Sequence, residues 1–268
     1  MGPQHNDTYG LMPAIFVGHG SPMNVIEENE FHRGIREIAH RLPRPKAVLC
    51  VSAHWETRGV RVTASTRPET IHDFQGFPEA LFAVRYPAAG DPLLARRIAE
   101  HLSDAKVRLD PDRGLDHGCW GILRIMYPDA AIPVVQLSLD TTSPPSFHFQ
   151  LAKKLARLRN AGVLIAGSGN IVHNLRRIDF HRPNGFDWAV RFNDEVKKRI
   201  LAGDDDSLTA YQTLSAEAHL AVPSPEHFLP LLYVLAQRQP HDRVSFFNDK
   251  TVMGSISMTS VVVGDPAV

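Results

Sequence analysis

Two short apolar segments, each followed by a histidine, constrain the fold of this chain most. Residues 13–17 run into the sequence Gly-His-Gly-Ser-Pro, and residues 47–51 run into Ser-Ala-His-Trp. Apolar runs without polar alternation are typical of strands that are buried on both faces of a parallel sheet. His19 and His54 are therefore predicted at the carboxyl ends of two strands, the edge at which open α/β sheets bind ligands.

The rest of the chain continues this alternation of strands and helices. Apolar runs predict further strands at residues 60–64, 107–109, 132–139, 163–166 and 255–263. Apolar residues at helical spacing predict helices at residues 25–42, 91–102, 146–158, 186–201 and 227–236, two of them N-capped by Asp91 and Ser146. This order predicts an α/β fold, a single domain whose central, mostly parallel or mixed sheet is covered by helices on both faces.

The composition excludes several classes of partner. The chain has 29 Lys and Arg against 29 Asp and Glu, so it has no net positive charge with which to hold nucleic acid or an anionic membrane surface. It has no apolar run of the roughly 18 residues that a membrane-spanning helix needs. Cys50 and Cys119 form no Cys-x-x-Cys pair, which indicates reduced thiols and a cytoplasmic protein.

Histidines at the predicted sheet edge are candidate functional residues. His19 and His54 each have an ordinary alternative, a hydrogen bond to a loop carbonyl, but two imidazoles at one edge favour a shared metal ion. Glycines beside His19 allow the backbone to bend sharply and to approach a ligand closely. His173 follows a glycine-rich turn that lacks the lysine of a phosphate-binding loop, so an acid or base role explains it better than nucleotide binding.

Two further positions have roles that spacing leaves open. His117 lies between a polar turn and a helix, where it is either an active-site residue, with Asp116 placed to orient its ring, or a helix-capping residue. Glu226 and His227 follow Pro225 at the start of the last predicted helix, and their spacing does not choose between them as a metal ligand.

Taken together, several motifs resemble one known family. They are Gly-His-Gly-Ser-Pro, Ser-Ala-His-Trp, Ile-His-Asp-Phe at residues 71–74, Asp-His-Gly-Cys-Trp-Gly, Ser-Gly-Asn-Ile-Val-His-Asn and Pro-Glu-His-Phe-Leu-Pro-Leu. Over residues 12–263 the chain resembles the class III extradiol ring-cleavage dioxygenases of the LigB type, and within them the 4,5-DOPA dioxygenase extradiol branch. The resemblance implies a catalytic domain at residues 12–268, preceded by a loose leader at residues 1–11.

The resemblance also implies one divalent metal ion. Its expected ligands are His19, His54 and His227, with Glu226 in reserve for the third position and His173 as a fourth ligand of a resting zinc form. Iron(II) is expected for activity, and zinc(II) is the alternative bound species. A third histidine departs from the two histidines and one glutamate of the better-known class III enzymes. Such a ligand set leaves positions open on iron(II) for a bidentate catecholate and dioxygen.

Three histidines are expected to act on the substrate. The resemblance makes His173 the acid or base that moves the catechol proton, His117 a second active-site histidine, and His72 a substrate-binding residue. The implied reaction inserts O₂ into a DOPA-like catechol and gives a ring-opened semialdehyde. A small aromatic diol and O₂ are therefore the expected partners.

Two other function classes use the same residues. A zinc-dependent hydrolase of small amides or esters would activate a bound water, with His173 as proton shuttle. A non-catalytic binding protein would keep the histidines as structural groups. Metal content, and the dependence of turnover on iron, catechol and oxygen, distinguish the three hypotheses.

Overall fold

The structure is a computed structural model that describes residues 11–266, so the predicted leader at residues 1–11 lies outside the described residues apart from Leu11. The strands are β1 (Ala14–Gly18), β2 (Ala47–Thr57), β3 (Arg61–Thr63), β4 (Arg108–Asp110), β5 (Val134–Asp140), β6 (Val163–Gly169), β7 (Val244–Phe247), β8 (Thr251–Val252), β9 (Ile256–Ser257) and β10 (Ser260–Val263). The α-helices are α1 (Glu30–Arg41), α2 (Glu79–Phe82), α3 (Pro92–His101), α4 (His117–Met126), α5 (Pro145–Lys153), α6 (Arg157–Asn160), α7 (Asp187–Ala202), α8 (Asp205–Thr209), α9 (Ala218–Ala221) and α10 (Leu229–Leu235).

Eight of the strands form a mixed central sheet in the order β4-β3-β5-β2-β6-β1-β10-β7. The pairs β2–β5, β2–β6, β1–β6 and β3–β4 are parallel. The pairs β3–β5, β1–β10 and β10–β7 are antiparallel. The predicted α/β class and mixed sheet are therefore confirmed, and β8 and β9 form a separate small sheet.

Alternate side chains of each central strand pack into two hydrophobic clusters on opposite faces of the sheet. In β1, Phe16 joins the cluster that contains the apolar side chains of α3, α5, α7 and α10. Ile15 and Val17 join the cluster that contains those of α1 and α4. All three side chains are fully buried, as expected for a strand covered on both faces. Helices on both faces were predicted, and this is confirmed.

Some element boundaries differ from the prediction. The predicted strand at residues 255–263 is divided into β9 and β10, because Met258 donates its backbone N–H to Lys250 O and Thr259 donates to the Ser257 hydroxyl. Strand β7 was not predicted, since its side chains are only partly buried and form no apolar run. Asp91 caps α3 as expected, but Ser146 lies inside α5, which starts with a proline.

No helix within residues 11–266 is long and apolar enough to cross a membrane. Cys50 and Cys119 are both buried free thiols.

Candidate metal centre

Three histidine side chains from distant parts of the sequence meet beside the carboxyl ends of β1, β2 and β6. His19 follows β1, His54 lies in β2, and His227 lies just before α10. One ring nitrogen from each lies within 4.8 Å of the others. The Nε2 atoms of His19 and His54 are 3.3 Å apart. Nε2 of His227 is buried and has no hydrogen-bond partner among the described residues.

The sheet topology brings these residues together. β6 lies between β1 and β2, and its Ser168 is paired in register with Val17 on one side and Ser52 on the other. The backbone N–H of His19 donates to Gly169 O at 3.1 Å. The pairing of β2 with β5 shifts register between Val51 and Glu56, and such an irregularity re-aims side chains near functional sites. His54 lies in this shifted segment.

A glycine at the end of β6 allows the last histidine to approach. The backbone N–H of Asn170 donates to His227 O at 2.9 Å. A Cβ at Gly169 would lie 2.2 Å from that same carbonyl oxygen, so only glycine fits there. Gly20, which follows His19, is needed for a different reason than the one predicted. Gly20 has a φ of +58°, which supports the predicted bend, but the space beside it is filled by the Met258 side chain and not by a ligand.

In two of the three rings, the second nitrogen, Nδ1, lies within hydrogen-bond distance of a protein group. Nδ1 of His19 is 2.9 Å from the Ser168 hydroxyl, and Nδ1 of His227 is 3.0 Å from Oε1 of Glu226. Metal-binding histidines commonly make such hydrogen bonds, which fix the tautomer and aim the other nitrogen at the ion. Nδ1 of His54 lies further from a carboxylate, at 3.8 Å from Oδ2 of Asp73. The arrangement leaves Nε2 of His19 and Nε2 of His54 facing each other, and Nε2 of His227 without a protein partner among the described residues.

The electrostatics of the cluster favour unprotonated rings. Burial, together with the neighbouring histidines, lowers the pKa of His19 and His227 well below the usual value. The same causes, with burial the largest, lower the pKa of His54 to about 3. Neutral imidazole is the form that coordinates a metal ion, so the donor set fits a divalent cation that accepts nitrogen ligands.

His117 begins α4 and packs against this cluster. Its ring centroid lies 3.9 Å from that of His54. Asp73 accepts the backbone N–H of His117 at 2.9 Å and also places Oδ1 3.0 Å from its Nδ1. Although burial raises the pKa of the Asp73 carboxyl, its contacts with His117 outweigh this effect and lower the pKa to about 2. Asp73 is therefore an anion beside His117.

The prediction that Asp116 orients the ring of His117 is wrong. Asp116 is the N-cap of α4, where it accepts the backbone N–H of Cys119 at 3.0 Å and the Ser52 hydroxyl at 2.7 Å. It thereby fixes the start of the helix against β2, and Asp73 is the carboxylate at the ring. Asp73 belongs to the Ile-His-Asp-Phe motif, but its spacing from His117 along the chain gives no sign of the contact.

His173 lies on the other side of the cluster. Its ring stacks on that of His227, with the centroids 3.5 Å apart and the planes 9° from parallel. Its backbone N–H donates to Ala221 O at 2.9 Å. Burial is the main cause that lowers its pKa to about 4, against the opposing charge of Glu226. The glycine-rich turn therefore brings a neutral imidazole to the candidate metal centre.

His72 lies further away, in an aromatic cluster. Its Nε2 donates to Val84 O at 3.0 Å, and its ring packs on Phe74 and Trp120. Phe74 also contacts His117, with ring centroids 5.4 Å apart. The segment around His72 thus supplies an apolar wall next to the site, while the His72 ring makes no contact with the three converging histidines.

Ser168 and Asp73 are the partners that sequence patterns missed. Ser168 is part of the Ser-Gly-Asn-Ile-Val-His-Asn motif, and its contact with His19 follows from the pairing of β1 with β6. Strand order is the signal that would have found it, since both residues lie at the ends of neighbouring parallel strands. No comparable signal leads to Asp73.

Known proteins are similar to this chain in sequence and in fold. Residues 12–264 match the family described as the catalytic LigB subunit of aromatic ring-opening dioxygenase. The chain is 47% identical over 257 residues to 4,5-DOPA dioxygenase extradiol of Escherichia coli (strain K12), covering 94% of this chain and 95% of that protein. It is 37% identical to 4,5-DOPA dioxygenase extradiol of Beta vulgaris, covering 86% and 87%. A crystal structure of an uncharacterized protein from Escherichia coli K12 superposes with a TM-score of 0.84 at 42% identity, covering 94% and 100%.

Proposed function

The chain belongs to the family of the catalytic LigB subunit of aromatic ring-opening dioxygenase, and we propose that His19, His54 and His227 hold its catalytic metal ion. The enzyme is a metal-dependent extradiol dioxygenase. The observation that carries the ligand assignment is that one ring nitrogen from each histidine lies within 4.8 Å of the others, while Nε2 of His227 is buried without a partner among the described residues. Glu226 is assigned as a positioning residue, because its carboxylate is bonded to the ligand imidazole.

Iron(II) is the proposed metal for activity. When bound, it supplies Lewis acidity toward a catechol hydroxyl and the redox activity that the reaction with dioxygen requires. Zinc(II) would bind the same nitrogen ligands but lacks a second oxidation state, so a zinc form is proposed to be inactive in ring cleavage. The neutral, buried imidazoles support either ion.

His173 is proposed to move the catechol proton. Its ring stacks on His227 and so lies beside the substrate position, where a ring nitrogen can accept a proton from a hydroxyl group. We prefer this role to a fourth ligand in the active form, because a base bonded to the metal could not take the proton. In a resting zinc form the same ring remains a candidate fourth ligand.

His117 is proposed as the second proton-handling residue. Oδ1 of Asp73 lies 3.0 Å from Nδ1 of His117, which leaves Nε2 as the atom offered to the substrate. Phe74 packs on the same ring and excludes water from that side. His72 would act one layer further out, by supporting the aromatic wall.

The proposed substrate is a small aromatic diol of the DOPA class. This substrate class is supported by the two relatives from Escherichia coli and Beta vulgaris, which are both named 4,5-DOPA dioxygenase extradiol. The product would be a ring-opened semialdehyde. We further propose that residues 12–268 act as one catalytic domain, and that the enzyme works in the cytoplasm, where its thiols Cys50 and Cys119 stay reduced.

A zinc-dependent hydrolase and a non-catalytic binding protein are not favoured, since the family and the named relatives are dioxygenases. The test is to load the metal-free protein with iron(II) under anaerobic conditions, add a panel of catechols that includes DOPA, and then admit oxygen. We expect oxygen uptake together with the absorbance of a ring-opened product, and neither with zinc. Amide or ester turnover by the zinc form, with no oxygen uptake by the iron form, would contradict the proposal.

A further inference from the structure

A small crevice lies between two histidines of the candidate metal centre, His19 and His117, and the 3₁₀-helix Pro22–Val25. Its volume is about 20 Å³, room for about one small molecule. Val25, which also lines it, is half-buried. Its remaining wall is mostly aliphatic and includes Ile35, Gly121 and Ile122.

Ser21 and Asn24, which line this crevice away from the two histidines, already have hydrogen-bond partners for their side chains. The Ser21 hydroxyl accepts the backbone N–H of Met23 at 3.2 Å. The Asn24 side chain donates to His19 O at 2.9 Å and accepts from Asn29 at 2.7 Å. A water molecule needs two to four polar partners, so this space suits an apolar molecule better than water. It is also too small for an aromatic ring.

We infer that this crevice is a binding and entry site for dioxygen, separate from the face on which the catechol binds. The inference rests on the proposed dioxygenase function. His54, Asp73, His173 and Glu226 are the partly exposed side chains of the site that do not line the crevice. A catechol covering them leaves the crevice as a second approach to the metal. Dioxygen is diatomic and apolar, and it needs no hydrogen bonds.

Two residues control the width of the crevice. A Cβ at Gly121 would lie 3.2 Å from Cγ2 of Val25, closer than an ordinary contact. Replacing Val25 by Phe would therefore fill the crevice, whereas Gly121→Ala would narrow it by a single methyl group. Alanine is a better helix former than glycine, so Gly121→Ala should fold. It therefore tests the crevice even if the larger substitution Val25→Phe prevents folding.

The first test does not depend on activity. Crystals of the metal-loaded wild type are pressurised with xenon, an apolar atom that occupies dry cavities. We expect xenon between Val25 and His117 in the wild type and none there in Val25→Phe. Xenon absent from the wild-type crevice would overturn the inference, whatever the enzyme's reaction.

The second test is kinetic. With iron-loaded protein and saturating catechol, Val25→Phe should lower kcat/KM for oxygen about fivefold or more and Gly121→Ala by a smaller factor, while KM for catechol stays unchanged. Val190→Phe, on the exposed side of α7, is the matched control and should behave as the wild type. Unchanged kcat/KM for oxygen in both crevice variants would overturn this inference and would leave the proposed dioxygenase function standing. A wild type that consumes no oxygen with any catechol refutes the proposed function instead.

Discussion

Replacing Glu226 by Gln tests whether the carboxylate beside His227 positions a metal ligand or is itself a ligand. Oε1 of Glu226 lies 3.0 Å from Nδ1 of His227 and also accepts the Ser224 hydroxyl at 2.9 Å. The Glu226 side chain is 18% exposed, so this interaction is shielded from solvent. Glutamine keeps the shape and one acceptor oxygen but removes the charge. The change therefore weakens the hold on the imidazole without removing a nitrogen ligand.

The expected loss follows from the nature of this bond. A hydrogen bond to a charged group contributes about 1.5–3 kcal/mol, and loss of a partner that orients a metal ligand typically lowers metal affinity about 10- to 100-fold. Because Gln retains an acceptor, we expect about a tenfold loss for Glu226→Gln and about a hundredfold loss for Glu226→Ala. His227→Ala removes the ligand itself and should abolish stoichiometric binding.

The assay is a titration of each metal-free protein with zinc(II) in competition with a chelator of known affinity. Glu37→Gln, on the exposed face of α1, is a matched carboxylate control and should bind as the wild type. Wild-type affinity in Glu226→Gln would refute the positioning role. Loss of metal as complete as in His227→Ala would show that Glu226 is a ligand.

Three further substitutions test other parts of the account. His173→Ala should retain metal and lose about 10²-fold or more of turnover, because it removes the proposed proton acceptor; unchanged kcat would exclude that role. Asp73→Asn should retain metal but lower kcat about tenfold, since it weakens the hold on His117. A loss of metal affinity as large as the loss of kcat would show instead that Asp73 supports the ion directly. Asp242→Ala should lower the free energy of unfolding by about 3–5 kcal/mol in urea titrations, because it leaves the fully buried guanidinium of Arg159 without its 2.6 Å partner; a change below about 1 kcal/mol would contradict this.

Strands that are buried on both faces could be predicted from the sequence, and the edge occupied by His19 and His54 followed from them. β1 and the first four residues of β6 are continuous apolar runs, so the limits of both strands lie within a few residues of the prediction. β7 was missed because Ser245 and partly buried neighbours interrupt any such run. Local pattern therefore located the strands that are covered on both faces, and of the two edge strands it located β4 but missed β7.

Side-chain partners between distant segments were less predictable. His227 lies in a turn before α10, and the spacing of Glu226 and His227 did not decide between them; only the family resemblance did. The contact of Asp73 with His117 crosses 44 positions of the chain and depends on how the loop after β3 folds over α4. Asp116, adjacent to His117, was the obvious partner by sequence, but the start of a helix needs a cap and uses that carboxylate.

The central claim is that one metal ion binds between His19, His54 and His227, and anomalous diffraction from crystals of the zinc-loaded protein tests it most directly. We predict a single strong peak about 2.1 Å from Nε2 of each of these three residues. Within residues 11–266, two other groups of side chains are close enough to hold an ion, one around Asp73 and one around Glu226. A peak at either of those groups, with none between the three Nε2 atoms, would contradict the account.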